Sequence, residues 1–292
     1  MRMDDNTRTA ADDAPPPLPH AAAEDSPAGD AGPRTLAIDI GGSHLKASVL
    51  DAAGAMLAER VRIATPRPAT PGAVLEALAG LVPALPSFDR ISVGFPGVVR
   101  DGRILTAPNL GTAEWRSAPL AAALADLLGR PTRVLNDADV QGLGTIAGQG
   151  LECVLTLGTG IGCALFRNGR LLPHLELGQH PIRTNKTYDR WLGEAARQKK
   201  GDRKWNRRLR KAIPIVRTLF NFDLLYLGGG NAKRIDFELP SDVRIAANTA
   251  GITGGVRLWH ADLAEVFAAA LTTAAAPSAP SHLEPFAMKA VR

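Results

Sequence analysis

The chain has 292 residues, 45% of them hydrophobic, enough for one large domain or for two ordinary ones with a cleft between them. No apolar run approaches the roughly 18 to 20 residues that a bilayer crossing needs, which excludes a membrane-spanning helix, and a total of two cysteines, Cys153 and Cys163, excludes a disulfide framework or a four-thiolate zinc site. The net charge of +5 is uneven, because residues 1–33 carry −5 while Lys199 to Lys211 holds eight Lys/Arg against one acid, so basicity is local.

Residues 1–33 contain a Pro-Pro-Pro run and few large apolar groups, the composition of a disordered leader. They lack the apolar core of a secretory signal, which points to a cytoplasmic protein. The folded body opens with Thr35-Leu-Ala-Ile-Asp39, a turn at Gly41-Gly42, and His44 to Leu50, the pattern of a hairpin. Asp51 to Gly54 supplies another turn before Ala55 to Ile63, which is expected as a third strand. Pro71 to Val82 reads as a helix stopped by Pro83, and Ile91 to Val93 as a short buried strand. A helix over Ala118 to Leu128 precedes the strand Thr132 to Leu135, which delivers Asn136-Asp137 at its C-terminal end, where ligand chemistry is favoured.

Glu152 to Leu157 then leads into a second glycine turn, Gly158-Thr-Gly-Ile-Gly162, and Cys163 to Phe166 pairs through Asn168-Gly169 with Arg170 to Leu172. A helix from about Trp205 to Phe220 follows, with Pro214 expected to kink or split it, and the strand Leu224 to Leu227 runs into Gly228-Gly-Gly230. From about His260 the chain is Ala/Pro-rich, consistent with one helix and then disorder. Strand, glycine turn and strand thus occur twice, which suggests two halves of one duplicated architecture.

Glycines at a strand end let main-chain N–H groups approach phosphate oxygens, and such nests attract anions. Either turn alone is equally well an ordinary tight hairpin. A Rossmann fingerprint needs a helix after its glycines, whereas the segment after Gly162 reads as strand, and neither turn has the closing Gly-Lys-Ser/Thr of a P-loop. What remains is phosphate held by hairpin turns from two related domains.

Seven short motifs, in order, carry a resemblance: Asp39-Ile-Gly-Gly-Ser43, Gly94-Phe-Pro-Gly97, Ala107-Pro-Asn109, Leu135-Asn-Asp-Ala-Asp139, Leu157-Gly-Thr-Gly-Ile-Gly162, Glu176-Leu-Gly178 and Gly228-Gly-Gly230. Over residues 34–259 the chain resembles ROK-family sugar kinases, most of all those that use polyphosphate or ATP on glucose. The resemblance implies an α/β actin-like ATPase (ribonuclease H-like) fold with two domains around a cleft, residues 34–137 and 138–259, flanked by the leader (1–33) and the tail (260–292). It implies phosphoryl transfer from inorganic polyphosphate or ATP to the 6-hydroxyl of a hexose, glucose first.

Residue by residue, Asp137 matches the catalytic base, and Gly97, Asn109, Asn136 and Glu176 match sugar-binding positions. Gly41, Gly42, Ser43, Lys46, Gly158, Thr159, Gly160, Gly229 and Gly230 fall on the phosphate side, and Asp39 on the carboxylate that helps to hold Mg²⁺. The family's usual Glu-x-Gly-His reads Glu176-Leu-Gly-Gln179-His180 here, so either Gln179 substitutes for the histidine or His180 shifts into its place. The zinc-binding cysteines of many ROK proteins are missing, so no zinc is expected. An acidic leader of 33 residues cannot form the helix-turn-helix of the ROK repressors, so DNA is not expected as a partner. Relatives are commonly homodimers.

The basic stretch Lys199 to Lys211 surrounds a helix whose apolar positions are Trp205 and Leu209, so its charges must face solvent or a polyanion. A solvated helix face is the plain reading, and a track for polyphosphate is the functional one. The alternative to an enzyme is a non-catalytic, sugar-binding regulator that keeps the fold, an idea motivated by Gln179.

Overall fold

In the computed structural model the described residues are 32–247, 249–260, 263, 266 and 267. The leader up to Ala31, and the tail helix and disorder expected beyond His260, fall outside the described residues apart from Gly32, Pro33, Leu263, Val266 and Phe267. β1 (Thr35–Ile40) and β2 (His44–Leu50) form the expected hairpin. The third strand is shorter than expected: β3 is Val61–Ala64. Asp51 causes this, because its Oδ1 accepts from the amides of Ala53 and Ala55 and winds the chain into a turn, leaving Leu50 and Met56 with a single isolated bridge. α1 (Pro71–Leu81) starts on the Thr70 cap, whose hydroxyl accepts from Ala73 N at 3.3 Å, and buries Val74, Leu78 and Leu81 at helical spacing.

β4 (Arg90–Phe95) is followed by the small hairpin β5 (Val99–Arg100) and β6 (Arg103–Ile104), the short α2 (Thr112–Trp115) and α3 (Leu120–Leu128). β7 (Thr132–Asn136) passes directly into α4 (Asp137–Leu143). β8 (Leu151–Leu157), β9 (Ile161–Arg167) and β10 (Arg170–Leu171) come next, with Asn168 and Gly169 both at positive φ between the last two, as an Asn-Gly hairpin turn requires. The small pair β11 (Pro181–Arg183) and β12 (Lys186–Thr187) precedes α5 (Tyr188–Leu192), α6 (Glu194–Lys200) and α7 (Asp202–Phe220). β13 (Leu224–Gly228), β14 (Val243–Ile245) and α8 (Ala250–Thr253) complete the described elements, with a 3₁₀ stretch over Gly254–Trp259.

Pro214 does not split α7. The helix runs on to Phe220 and closes on Asn221 in the left-handed conformation. Pro214 lies on the exposed side, where water can take the carbonyl it leaves unbonded, while Trp205, Leu209, Ile213 and Val216 stay buried on the other.

The two sheets repeat one topology. The first has the order β3-β2-β1-β4-β7 and the second β10-β9-β8-β13-β14. In each, three antiparallel strands come first, the earliest of these pairs in parallel with the fourth strand, and the fourth pairs in parallel with the fifth. The duplication suspected from the glycine turns is therefore a duplication of sheets, each with its glycine turn between the first two strands. α4 lies against both, touching β4 on one side and β8 and β9 on the other. The chain then returns to the first sheet: Ile252 and Val256 are buried with Ala37 and Leu50, the Ser92 hydroxyl donates to Gly255 O at 2.7 Å, and Arg133 stacks on Trp259.

Among the described residues no helix is long and apolar enough to cross a membrane.

Candidate active site

One cavity of about 460 Å³ gathers the functional sequence motifs. Asp39, Gly41, Gly42, Ser43, Lys46, Gly97, Asn109, Asn136, Asp137, Gly158, Thr159, Gly160, Glu176, Gln179, Gly229 and Gly230 all line it. His180 does not. The 3₁₀ turn Leu177–Gln179 ends with His180 in extended conformation, which carries its ring out to Tyr188, 6.2 Å between centroids, on a separate shallow groove. Of the two alternatives for the altered motif, the cavity therefore takes Gln179.

The two glycine turns, distant in sequence, face each other. A Cβ on Gly42 would stand 3.6 Å from Thr159 Cγ2 and 3.3 Å from Asn109 Cβ. Their carbonyls are tied away from the cavity's business: Thr65 Oγ1 donates to Gly41 O and Arg67 to Gly42 O, both at 2.6 Å, while Glu194 N donates to the oxygens of Gly158 and Thr159. The amides of Gly42, Ser43, Thr159 and Gly160 make no hydrogen bond among the described residues. Four N–H donors left over in two opposed turns have the arrangement that attracts an anion; Gly42 is buried and Gly160 half-buried, while Ser43 and Thr159 stand exposed at the mouth.

Asp39 and Lys46 are cross-strand partners in β1 and β2, and Lys46 Nζ lies 2.7 Å from Asp39 Oδ2. Lys46 is thus committed to a carboxylate beside the nest rather than to solvent.

Asp137 is the first residue of α4. Burial first, and then the charge of Asp39, push its carboxyl up to about 7 against the opposing hydrogen bond from Ala138 N. Asn136 caps the helix: its Oδ1 accepts from Ala138 N at 2.8 Å. Both of its amide hydrogens are spent on Phe95 O and Gly97 O, at 3.3 and 3.0 Å. Asn136 thus lines the cavity while holding the Gly97 loop beside Asp137. A Cβ on Gly97 would meet Thr106 O at 2.0 Å, so the loop passes too close to the next segment for any other residue.

Several cavity residues carry no local signal in the sequence. Asp189, on α5, accepts from Ile161 N at 2.6 Å through one oxygen and from Gln179 Nε2 at 2.8 Å through the other. It therefore ties the second glycine turn to the altered sugar motif, and burial pushes its carboxyl above the usual range. Gly160 and Gly178 both crowd that carboxylate, with virtual Cβ atoms 2.9 and 2.5 Å from its oxygens. Arg62 and His44, and Arg197, Lys233 and Arg234, line the cavity as well. Arg197 is paired with Glu194 and Asp202, while Lys233 has no ion pair among the described residues.

None of the residues from Lys199 to Lys211 lines the cavity. α7 does reach its rim, since Asn206 Nδ2 donates to Arg234 O at 2.9 Å. Arg208 is spent internally, donating to Trp191 O and lying over that ring, whereas Arg203, Arg207 and Arg210 are exposed.

Comparison with known proteins agrees with this geometry. Residues 35–178 match the family model described as ROK family. The polyphosphate glucokinase of Mycobacterium tuberculosis (strain CDC 1551 / Oshkosh) is 33% identical over 242 residues, 77% of this chain and 91% of that one. The inorganic polyphosphate/ATP-glucomannokinase of Arthrobacter sp. strain KM superposes with a TM-score of 0.72 at 33% identity, over 78% of this chain and all of that one. A ROK family glucokinase from Streptomyces griseus, crystallised with glucose and AMPPNP, shares the fold at 19% identity, with a TM-score of 0.66 over 77% of this chain and 98% of the other. The fold is the actin-like ATPase architecture, and the chain belongs to the ROK family.

Proposed function

We propose that this protein is a hexokinase-type phosphotransferase that moves a phosphoryl group from inorganic polyphosphate or ATP to the 6-hydroxyl of a hexose, with glucose as first candidate. The observation that carries the reading is the pair of opposed turns with four unspent amides beside a half-buried carboxylate of raised pKa on a helix N-terminus. The names of the two relatives that are 33% identical support it.

In this mechanism the sugar lies between the Gly97 loop, Asn109, Glu176 and Gln179, with its reacting hydroxyl at Asp137. Asp137 takes the hydroxyl proton as oxygen attacks phosphorus, and a base near 7 suits that transfer at neutral pH. The amides of Gly42, Ser43, Thr159 and Gly160 hold the phosphate oxygens, with Gly229 and Gly230 on the donor side, so catalysis is positioning plus electrostatic stabilisation.

Mg²⁺ fits these residues: Asp39, paired on one oxygen with Lys46, lines the cavity beside the glycine turns and raises Asp137 by like charge, and Mg²⁺ is commonly bound by one or two carboxylates plus substrate phosphates. When bound it would neutralise charge on the transferring phosphate, with Asp39 as its protein ligand. The non-catalytic regulator needs no base, and the desolvated Asp137 argues against it.

Residues 34–137 and 138–259 are proposed as two lobes that close on the sugar, with α8 and the 3₁₀ stretch after it acting as a strap from the second lobe onto the first. A cytoplasmic location and a homodimer are proposed with it, the exposed Ile215 and Leu219 beside His180 and Tyr188 supplying an apolar contact. A coupled assay over a hexose panel, with polyphosphate and ATP as separate donors, tests the function; no turnover of any pair would refute it.

A further inference from the structure

We propose that His174 is a positioning residue for hexose recognition, strapping the pocket carboxylate Glu176 to Asp139 on the helix that carries the base. The inference rests on the kinase reading above. It starts from a residue that no motif singled out and that does not itself line the cavity.

His174 Nδ1 lies 3.3 Å from both oxygens of Asp139, and its Nε2 lies 3.1 Å from Glu176 Oε1. Asp139 is in the first turn of α4, two residues after Asp137, and is 3% exposed. Glu176 belongs to the stretch between β10 and the 3₁₀ turn Leu177–Gln179, where no strand or helix fixes its direction. The imidazole therefore supplies what the backbone does not: a rigid link from a helix packed on both sheets to a carboxylate that must meet sugar hydroxyls at a set angle.

The chemistry of the link requires a proton on each ring nitrogen. Asp139 and Glu176 are both acceptors when ionised, so a neutral ring could donate to only one of them. Burial works against a charge on His174, but its hydrogen bonds to Asp139 and Glu176 outweigh this and raise it to about 10. Burial pushes Asp139 up and the bond from His174 opposes that rise; with two carboxylates against one imidazole, the ring holds the proton. The charged groups facing it are Asp139 and Asp137 on α4 and Glu176 on its own segment. Three carboxylates then face one cation, and the hydrogen bond to Nε2 fixes Glu176 for its grip on a polyol. The family's sugar-side histidine position holds Gln179 here, and a histidine five residues earlier restores an imidazole behind the same carboxylate.

Steady-state kinetics of His174→Leu and His174→Gln, with glucose varied at saturating polyphosphate and then the reverse, test the strap. His174→Leu should raise KM for glucose about tenfold to a hundredfold, the worth of a hydrogen bond to a charged group, while KM for polyphosphate stays at the wild-type value. His174→Gln keeps one donor and should recover part of the loss. An unchanged KM for glucose in active His174→Leu would overturn the strap and leave the kinase reading standing, as would equal rises in both KM values. Wild-type protein that turns over no hexose would overturn both. Should His174→Leu fail to fold, the His174→Gln kinetics and NMR titration of the wild-type ring decide: the His174 signals should stay those of an imidazolium across neutral pH, and titration near the ordinary 6.5 would refute the proposal.

Discussion

Asp137 has its proton affinity set by where the chain puts it, at the first position of α4, walled by both sheets and facing Asp39. Its raised pKa has a defined consequence for rate. The base must be ionised, so kcat/KM for the hexose should climb about tenfold per pH unit below about 7 and level off above it; a profile flat down to pH 5 would contradict the assignment. Because the folded value lies above the unfolded one, the group favours the folded state at low pH and withdraws that support as pH rises towards about 7, so Asp137→Asn should not lower Tm at neutral pH. Asp189→Asn tests the tie between sugar and phosphate sides: with one acceptor lost among Ile161 N and Gln179 Nε2, KM should rise for both substrates together. Asp137 was legible from sequence because Asn-Asp at a strand end is a local pattern. Asp189 and His174 were not, since their partners are brought in by the fold: Asp189 reaches 28 residues back to Ile161, and His174 35 back to Asp139. The His180 alternative failed for a related reason, as the direction of a side chain after a single 3₁₀ turn is not written in its spacing.

α4 is the element on which the site depends, and small residues let it sit where it does. A Cβ on Gly254 would stand 2.0 Å from Val140 O, and one on Gly144 2.6 Å from Ala250 O. The crossing of α4 with α8 is therefore backbone against backbone. Gly254→Ala should cost about 1 to 3 kcal/mol or more by overpacking, seen as a Tm drop of several degrees, and should reduce kcat by displacing Asp137; an unchanged Tm would show that the crossing relaxes freely. Strands and the Asn168-Gly169 hairpin were largely legible, since alternation and the Asn-Gly signal act over a few residues, whereas the Thr70 cap of α1 emerged only in the fold. The third strand was overextended because Asp51 captures two amides that a strand would have used, and Pro214 was overread because a proline on an exposed helix face leaves its orphaned carbonyl to water. The contact of Ile252 and Val256 with the first sheet is a tertiary return that no local pattern announces.

Across the whole molecule, charge and duplication meet at one mouth. The two sheets of identical order place their glycine turns face to face, which is why a repeat seen only as two motifs in the sequence lines a single cavity. Basicity spreads from that mouth through Lys233 and Arg234 to the exposed Arg203, Arg207 and Arg210 of α7. If long polyphosphate lies along this face, neutralising those three arginines should raise its KM severalfold and flatten its salt dependence, leaving KM for ATP unchanged; equal KM values for polyphosphate in variant and parent would make the face a solvated one. The most direct test of the account is the rate of hexose 6-phosphate formation by purified wild-type protein and Asp137→Ala, with glucose and either donor. The account predicts turnover by the wild type and a loss of about 10²- to 10⁴-fold in the variant, with the fold intact. Absence of turnover in the wild type, or an Asp137→Ala protein as fast as its parent, would contradict it.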